Sequence, residues 1–246
     1  MIASHNHRTE SLRWHRVLLK LSGESFCKEG ELGIQAAEVK TTAEALAEVH
    51  AAGVELAVVV GGGNLMRGAS LSEQGIARTS ADYMGMLGTL INAVALQEAL
   101  EKVGVPTRVQ SAIAANQVAE PFIRRRCIRH LEKGRVVILA GGTGVPLFTT
   151  DTTASLRAKE IEAEVVLKAT KVDGVYDSDP KRNPDAVLFK TLTYSEILSR
   201  NLRVMDATAI TLAMEHGIPI VVFNVKVPGN IKRAVLGEQI GTLITL

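Results

Sequence analysis

Apolar residues occur along this chain in short continuous runs that alternate with longer stretches of helical spacing. The runs Arg16–Leu21, Leu56–Val60, Thr107–Gln110, Val136–Ala140, Val165–Ala169, Ile220–Asn224 and Thr242–Ile244 read as strands. Most lack a polar face, as strands covered on both sides do. Helical spacing runs from Ile34 to Ala52, closed by Gly53, and from Ser80 to Val103, ended by Gly104 and Pro106. Met84 to Leu96 is apolar nearly all round apart from Asn92, which predicts a helix buried by its own sheet and by a second subunit. Further helices are expected around Arg124, Arg125, Arg126 and Arg129, from a cap at Thr150 or Asp151 through Lys159, and over Tyr194–Arg200, Ala207–His216 and Asn230–Leu236. The pattern predicts a single α/β domain over residues 16–246, a three-layer αβα sandwich around a largely parallel sheet of roughly seven or eight strands. Residues 1–15 are polar and read as a flexible N-terminal extension.

Two of these strands run straight into glycine. Val58–Val60 leads into Gly61-Gly62-Gly63, with Arg67 close behind, and Ala140 leads into Gly141, Gly142 and Gly144. Glycine there lets backbone N–H groups approach a phosphate closely; it also permits a tight strand-to-helix turn with no ligand. Lys20 is out of place in a strand that should be buried, because a buried ammonium needs a partner. Bound phosphate is one candidate partner, and a lysine reaching out to solvent is the other reading. Asp151 reads locally as a helix cap, and Asp206 as a cap or as a partner for a buried cation. Tyr176, alone among turn-formers in the loop from Thr170 to Pro184, suits a stacked base or simple loop packing.

Composition narrows the choices. The 246 residues carry a net charge of +2, 46% apolar and 4% aromatic residues. That charge is too mild to argue for nucleic acid, and the arginines near 124–129 have no aromatic interleaving. No run approaches the roughly 20 apolar residues of a membrane span. Two cysteines, Cys27 and Cys127, imply no disulfide framework and fit the reducing cytoplasm. The chain contains no GxxxxGK[ST], HExxH or GxSxG, and no GxGxxG follows the first strand.

Taken in order, LLKLSGE at 18–24, VVVGGGNLMRG at 58–68, DYMGML at 82–87, AGGTGVPLFTTD at 140–151, VVLKATKVDGVYDSDP at 165–180 and VMDATA at 204–209 resemble the bacterial-type UMP kinases of the amino-acid-kinase superfamily. The resemblance runs from about Arg16 to Leu246. It implies phosphoryl transfer from ATP to UMP by a homohexamer, with Mg²⁺ accompanying ATP. On matching positions it implies catalytic roles for Lys20, Arg67 and Asp151, the last orienting Lys20 and the water shell of the metal. Lys20, Leu21, Ser22, Gly23, Gly63, Arg67, Thr170, Tyr176 and Asp179 would hold ATP. Gly62, Asp82, Thr143, Gly144, Val145, Pro146, Leu147, Phe148, Thr149 and Thr150 would hold UMP. Activation by GTP and inhibition by UTP are implied as well. The GTP positions are Lys28, Glu29, Gly30, Glu31, Leu32 and Gly33, with Arg108 and Arg135. That segment is more charged here than the family's glycine-rich form, and Gln97 and Glu101 stand where basic residues are expected. A kinase of the same fold with another small acceptor, or a non-catalytic nucleotide or oxoanion binder, are the alternative readings.

Overall fold

The computed structural model describes residues 12–66, 71, 73, 75–180 and 182–246. Nine strands form one sheet. In chain order they are β1 (Arg16–Leu21), β2 (Glu55–Val60), β3 (Thr107–Ser111), β4 (Glu120–Pro121), β5 (Val136–Ala140), β6 (Val165–Thr170), β7 (Thr191–Thr193), β8 (Ile220–Asn224) and β9 (Thr242–Thr245). Their spatial order is β4-β3-β5-β2-β1-β6-β8-β9-β7. All pairings are parallel except β8 with β9. Among the described residues the helices are α1 (Ala36–Ala51), α2 (Arg78–Lys102), α3 (Arg124–Glu132), α4 (Thr150–Glu160), α5 (Tyr194–Ser199), α6 (Ala207–Glu215) and α7 (Asn230–Leu236). The three-layer sandwich expected from the sequence is therefore present. The strands it missed, β4 and β7, are only two and three residues long, too short to carry a periodic signal.

Alternation along the strands sorts the core into two faces. Val17, Leu19 and Leu21 of β1 pack with α1, α2 and α7, while Leu18 packs with α3, α4 and α6 on the other face. Lys20 shares the parity of Leu18, so it rises on the α4 side. The same parity puts Lys168 of β6 on that side, with Val166. The chain steps one way from β1 to β2 and returns from β5 to β6 across β1, and this reversal leaves a crevice at the C-terminal ends of the parallel strands.

One polar lock crosses the first layer. Asn92, the polar break in the apolar middle of α2, is fully buried against Asn64, which follows the glycine run. The amides pair reciprocally at 2.7 and 3.1 Å. Asn92 also donates to the Gly61 carbonyl at 2.7 Å, and Asn64 to the Gly33 carbonyl at 2.7 Å. Each buried amide thus has its partners, which is what makes the pair tolerable in the core. Around the rest of α2, Leu90, Ala93, Leu96 and Leu100 face the sheet, whereas Tyr83, Leu87, Ile91 and Val94 form an exposed stripe.

Candidate active site

β1 and β6 are direct neighbours in the sheet, and their register sets Lys20 beside Lys168. Like charges at that spacing repel, and Asp151 lies between them. Lys20 Nζ is 2.9 Å from Asp151 Oδ1, and Lys168 Nζ is 2.6 Å from Oδ2. All three side chains are mostly buried. Burial alone would raise the Asp151 carboxyl, but the Lys20 and Lys168 ammonium groups outweigh it and hold it below its usual value. Burial holds the Lys168 ammonium below its ordinary value of 10.5, with Asp151 pulling the other way.

The sequence left the cap of α4 between Thr150 and Asp151. The cap is Thr149, whose hydroxyl accepts from the N–H groups of Asp151 and Thr152 at 3.0 and 3.3 Å. Asp151 is thereby released from capping and turns toward the lysines. Asp206 does not reach them. It caps α6, accepting from the Ala209 N–H at 2.9 Å, and takes the hydroxyls of Thr149 and Thr152. Lys168 also donates to the Val204 carbonyl just ahead of that cap. The starts of α4 and α6 are thus pinned together around the triad.

Two clefts lie beside these residues. One is lined by Lys20, Ser22, Thr170, Lys171 and Lys226, together with Lys168. Of the residues expected to hold ATP, Lys20, Ser22 and Thr170 meet there. The Leu21 side chain is fully buried and offers only its backbone. Gly23 has Gly63 N 2.6 Å from the place a Cβ would take, so no side chain fits at that crossing. Tyr176 and Asp179 lie in the loop beyond β6, where Tyr176 bridges to Leu188 and its hydroxyl approaches Asp173 at 3.5 Å.

The second cleft is lined by Gly62, Gly63, Asp82, Gly142, Phe148 and Thr150, among others. Thr143, Gly144, Val145, Pro146 and Leu147 belong to the turn above it, where the Thr143 hydroxyl accepts from the Val145 N–H at 3.1 Å. Asp82 receives Arg78 at 2.9 Å and the Leu147 N–H at 2.9 Å. Leu147 holds a left-handed backbone (φ 74°), which costs a branched residue roughly 1–2 kcal/mol. The Asp82 bond ties the turn down and leaves a cleft of about 180 Å³, smaller than the ~300–1,000 Å³ of complete small-molecule sites.

Arg67 lies outside the described residues. The turn at 28–33 and the pair Arg108 and Arg135 are not brought together in one chain. Gly33 bonds Asn64 beyond the C-terminal end of β2. Arg135 precedes β5 and binds His130 at 2.9 Å, at the opposite end of the sheet, and Arg108 pairs with Glu101 at 3.6 Å. The side chain that sequence reasoning missed is Lys168. Its signal was the same as that of Lys20, a lone charge in an apolar strand.

The depressed ammonium has a pH consequence. Activity that needs Lys168 charged is expected to fall on the alkaline side below 10.5, the lysine reference value. Stability moves the other way: between the folded value and 10.5 the unfolded chain binds more protons, so this group's contribution grows as pH rises. A kcat–pH profile of Lys168→Arg, whose charge persists, should lose that limb; an unchanged limb would assign it to another group.

Residues 15–224 match the family model for the amino acid kinase family. The chloroplastic uridylate kinase PUMPKIN of Arabidopsis thaliana is 58% identical over 234 residues, which cover 95% of this chain and 69% of that protein. The crystal structure of UMP kinase from Bacillus anthracis superposes with a TM-score of 0.91 at 40% identity, over 94% of this chain and 96% of the other. That of UMP kinase from Ureaplasma parvum gives 0.90 at 36% identity, over 95% and 100%.

Proposed function

The chain belongs to the amino acid kinase family, and on that premise we propose that it transfers the γ-phosphoryl group of ATP to UMP, giving ADP and UDP. The observation that carries this is the Lys20–Asp151–Lys168 triad, whose lysines line one cleft and whose Asp151 directly follows Thr150 of the other. ATP occupies the cleft with Lys20, Ser22 and Thr170, and UMP the one with Gly62, Asp82 and Thr150. The acceptor is a phosphate oxygen that is already anionic near neutral pH, so no strong base is needed. What the reaction needs is alignment and shielding of charge on the moving group. Lys20 and Lys168 supply the shielding, and Asp151 fixes both beforehand, so little reorganisation remains at the moment of transfer. Asp82, on taking a ribose hydroxyl, releases Leu147 and widens the cleft for the base. Uracil then meets the backbone of the turn at 143–150. UTP, sharing that base, inhibits from the same cleft.

Mg²⁺ fits as an ion carried by ATP. Among the described residues no group of three or more His, Cys, Asp or Glu side chains could cage a metal. Asp151 Oδ1 is buried and meets Lys20 Nζ at 2.9 Å, and its remaining lone pair suits a water of a hydrated ion. Carried in with the nucleotide, such an ion would supply neutralisation of phosphate charge, with Asp151 holding a water of its shell.

The exposed stripe Tyr83, Leu87, Ile91 and Val94 on α2 supports an oligomer, read here as the homohexamer. A GTP site that draws on both Arg108 and the 28–33 turn requires a second protomer, since one chain holds them at opposite ends of the sheet. Both cysteines are buried and unpaired, in keeping with a reducing cytoplasm. Among the described residues no helix is long and apolar enough to cross a membrane.

An ADP-release assay with each nucleoside monophosphate, and with aspartate, acetylglutamate and carbamate, tests the assignment. UMP alone should turn over well. Lys20→Ala should lower kcat at least about a hundredfold with a nearly constant KM for UMP. Turnover of a carboxylate or carbamate in preference to UMP would overturn the reading.

A further inference from the structure

Lys171 stands one residue past β6 and plays no part in the triad. Its Nζ meets Glu24 Oε2 at 2.8 Å and Glu29 Oε1 at 3.7 Å. Glu24 sits in the short turn Gly23–Phe26 that follows β1. Glu24 and Lys171 line the same cleft as Lys20 and Lys168, one from each of the neighbouring strand ends. A carboxylate on the wall of a site for a polyphosphate is out of keeping with its ligand, because like charges repel at close range. An ammonium on the rim of that site is in keeping with it. The two are about equally exposed, at 32% and 31% of their side chains, so both are open to exchange of partners. The Glu24 contact also holds the Lys171 ammonium above its ordinary value, so it is charged whenever a nucleotide arrives.

We propose that Lys171 is a further ATP-binding residue, occupied by Glu24 in the free enzyme and transferred to the β- or γ-phosphate oxygens when ATP enters. Glu24 then serves as a stand-in for phosphate: it keeps the lysine extended toward the cleft and competes with the nucleotide for it. The inference rests on reading this cleft as the ATP site. It separates the terminal phosphates from the rest of the nucleotide, since AMP has no oxygens where Lys171 reaches.

Calorimetric titration of the full chain with ATP and with AMP tests it. Lys171→Ala should weaken ATP binding about tenfold and AMP binding by less than about twofold, since a charge-assisted contact to phosphate is lost only from ATP. Glu24→Gln should tighten ATP a few-fold by removing the competitor. The decisive variant is Lys171→Ala with Glu24→Gln. If Lys171 touches phosphate, the pair binds ATP about tenfold more weakly than Glu24→Gln alone. If Lys171 merely neutralises Glu24, the pair regains the parent affinity, and the inference is overturned. Parent-like ATP binding by Lys171→Ala overturns it equally. A parent enzyme that binds no ATP, or whose ATP affinity is untouched by Lys20→Ala, would instead overturn the placement of ATP in this cleft.

Discussion

Asp151→Asn should lower kcat at least about a hundredfold, a loss of roughly 3 kcal/mol of transition-state stabilisation or more. The substitution keeps the shape of the side chain and removes its charge. Lys20 and Lys168, side by side in the β1–β6 register, then face each other with a neutral amide between them. Lys168 already sits below its ordinary value because of burial, and Asp151 is the strongest of the groups that raise it. Without that carboxylate it sheds its proton more readily, and the alkaline limb of kcat moves to still lower pH. Acid stability changes with the opposite partner. The Asp151 carboxyl is depressed below 3.8, so its contribution is fully present above that pH and is lost as pH falls toward the folded value. The Asn variant lacks this contribution at every pH. Removing one partner from a largely buried ion cluster costs up to about 3–5 kcal/mol, less whatever Lys168 recovers by deprotonating. Steady-state kinetics with scanning calorimetry check both effects; a kcat within about tenfold of the parent would refute the role given to Asp151.

Gly62→Ala is the second large effect, and it acts through packing. A Cβ at Gly62 would stand 2.7 Å from the Gly85 carbonyl oxygen and 3.0 Å from the Thr89 N–H nitrogen. Both are main-chain atoms of α2, so no side chain can swing away and the helix itself must shift. Overpacking of this kind costs about 1–3 kcal/mol, or roughly 3–10 °C in Tm for a domain of this size. Gly62 and α2 also line the cleft proposed for UMP, so kcat/KM for UMP should fall about tenfold or more. Gly88→Ala is the contrast. Its Cβ would find nothing nearer than 3.5 Å, and alanine is the better helix former, so Tm should hold or rise. Equal Tm losses in both variants would show that the close approach at Gly62 is not the cause.

The sandwich was legible because central strands such as β2, β5 and β6 are largely apolar runs of five or six residues. Lys20 was legible as a charge that such a strand cannot leave alone. Asp151 was read as its partner through the resemblance, but the second lysine on that carboxylate was not legible. Lys168 becomes adjacent to Lys20 only because β6 returns to the far side of β1, a matter of strand order that local sequence does not encode. The glycines at 61–63 could be read as a cradle or as a tight turn. The contacts around Gly62 and Gly23 add a third requirement, backbone packed against backbone. Capping at Thr149 rather than at Thr150 or Asp151 was likewise invisible, since all three residue types cap well.

The reciprocal amides of Asn64 and Asn92 carry one last implication. They bolt the far end of the second strand to the middle of the long helix, whose opposite flank offers Leu87 and Ile91 to the outside. Strand end and flank are therefore joined through main chain and amides, and a load placed on that flank would pass to Gly61, beside the cleft proposed for UMP.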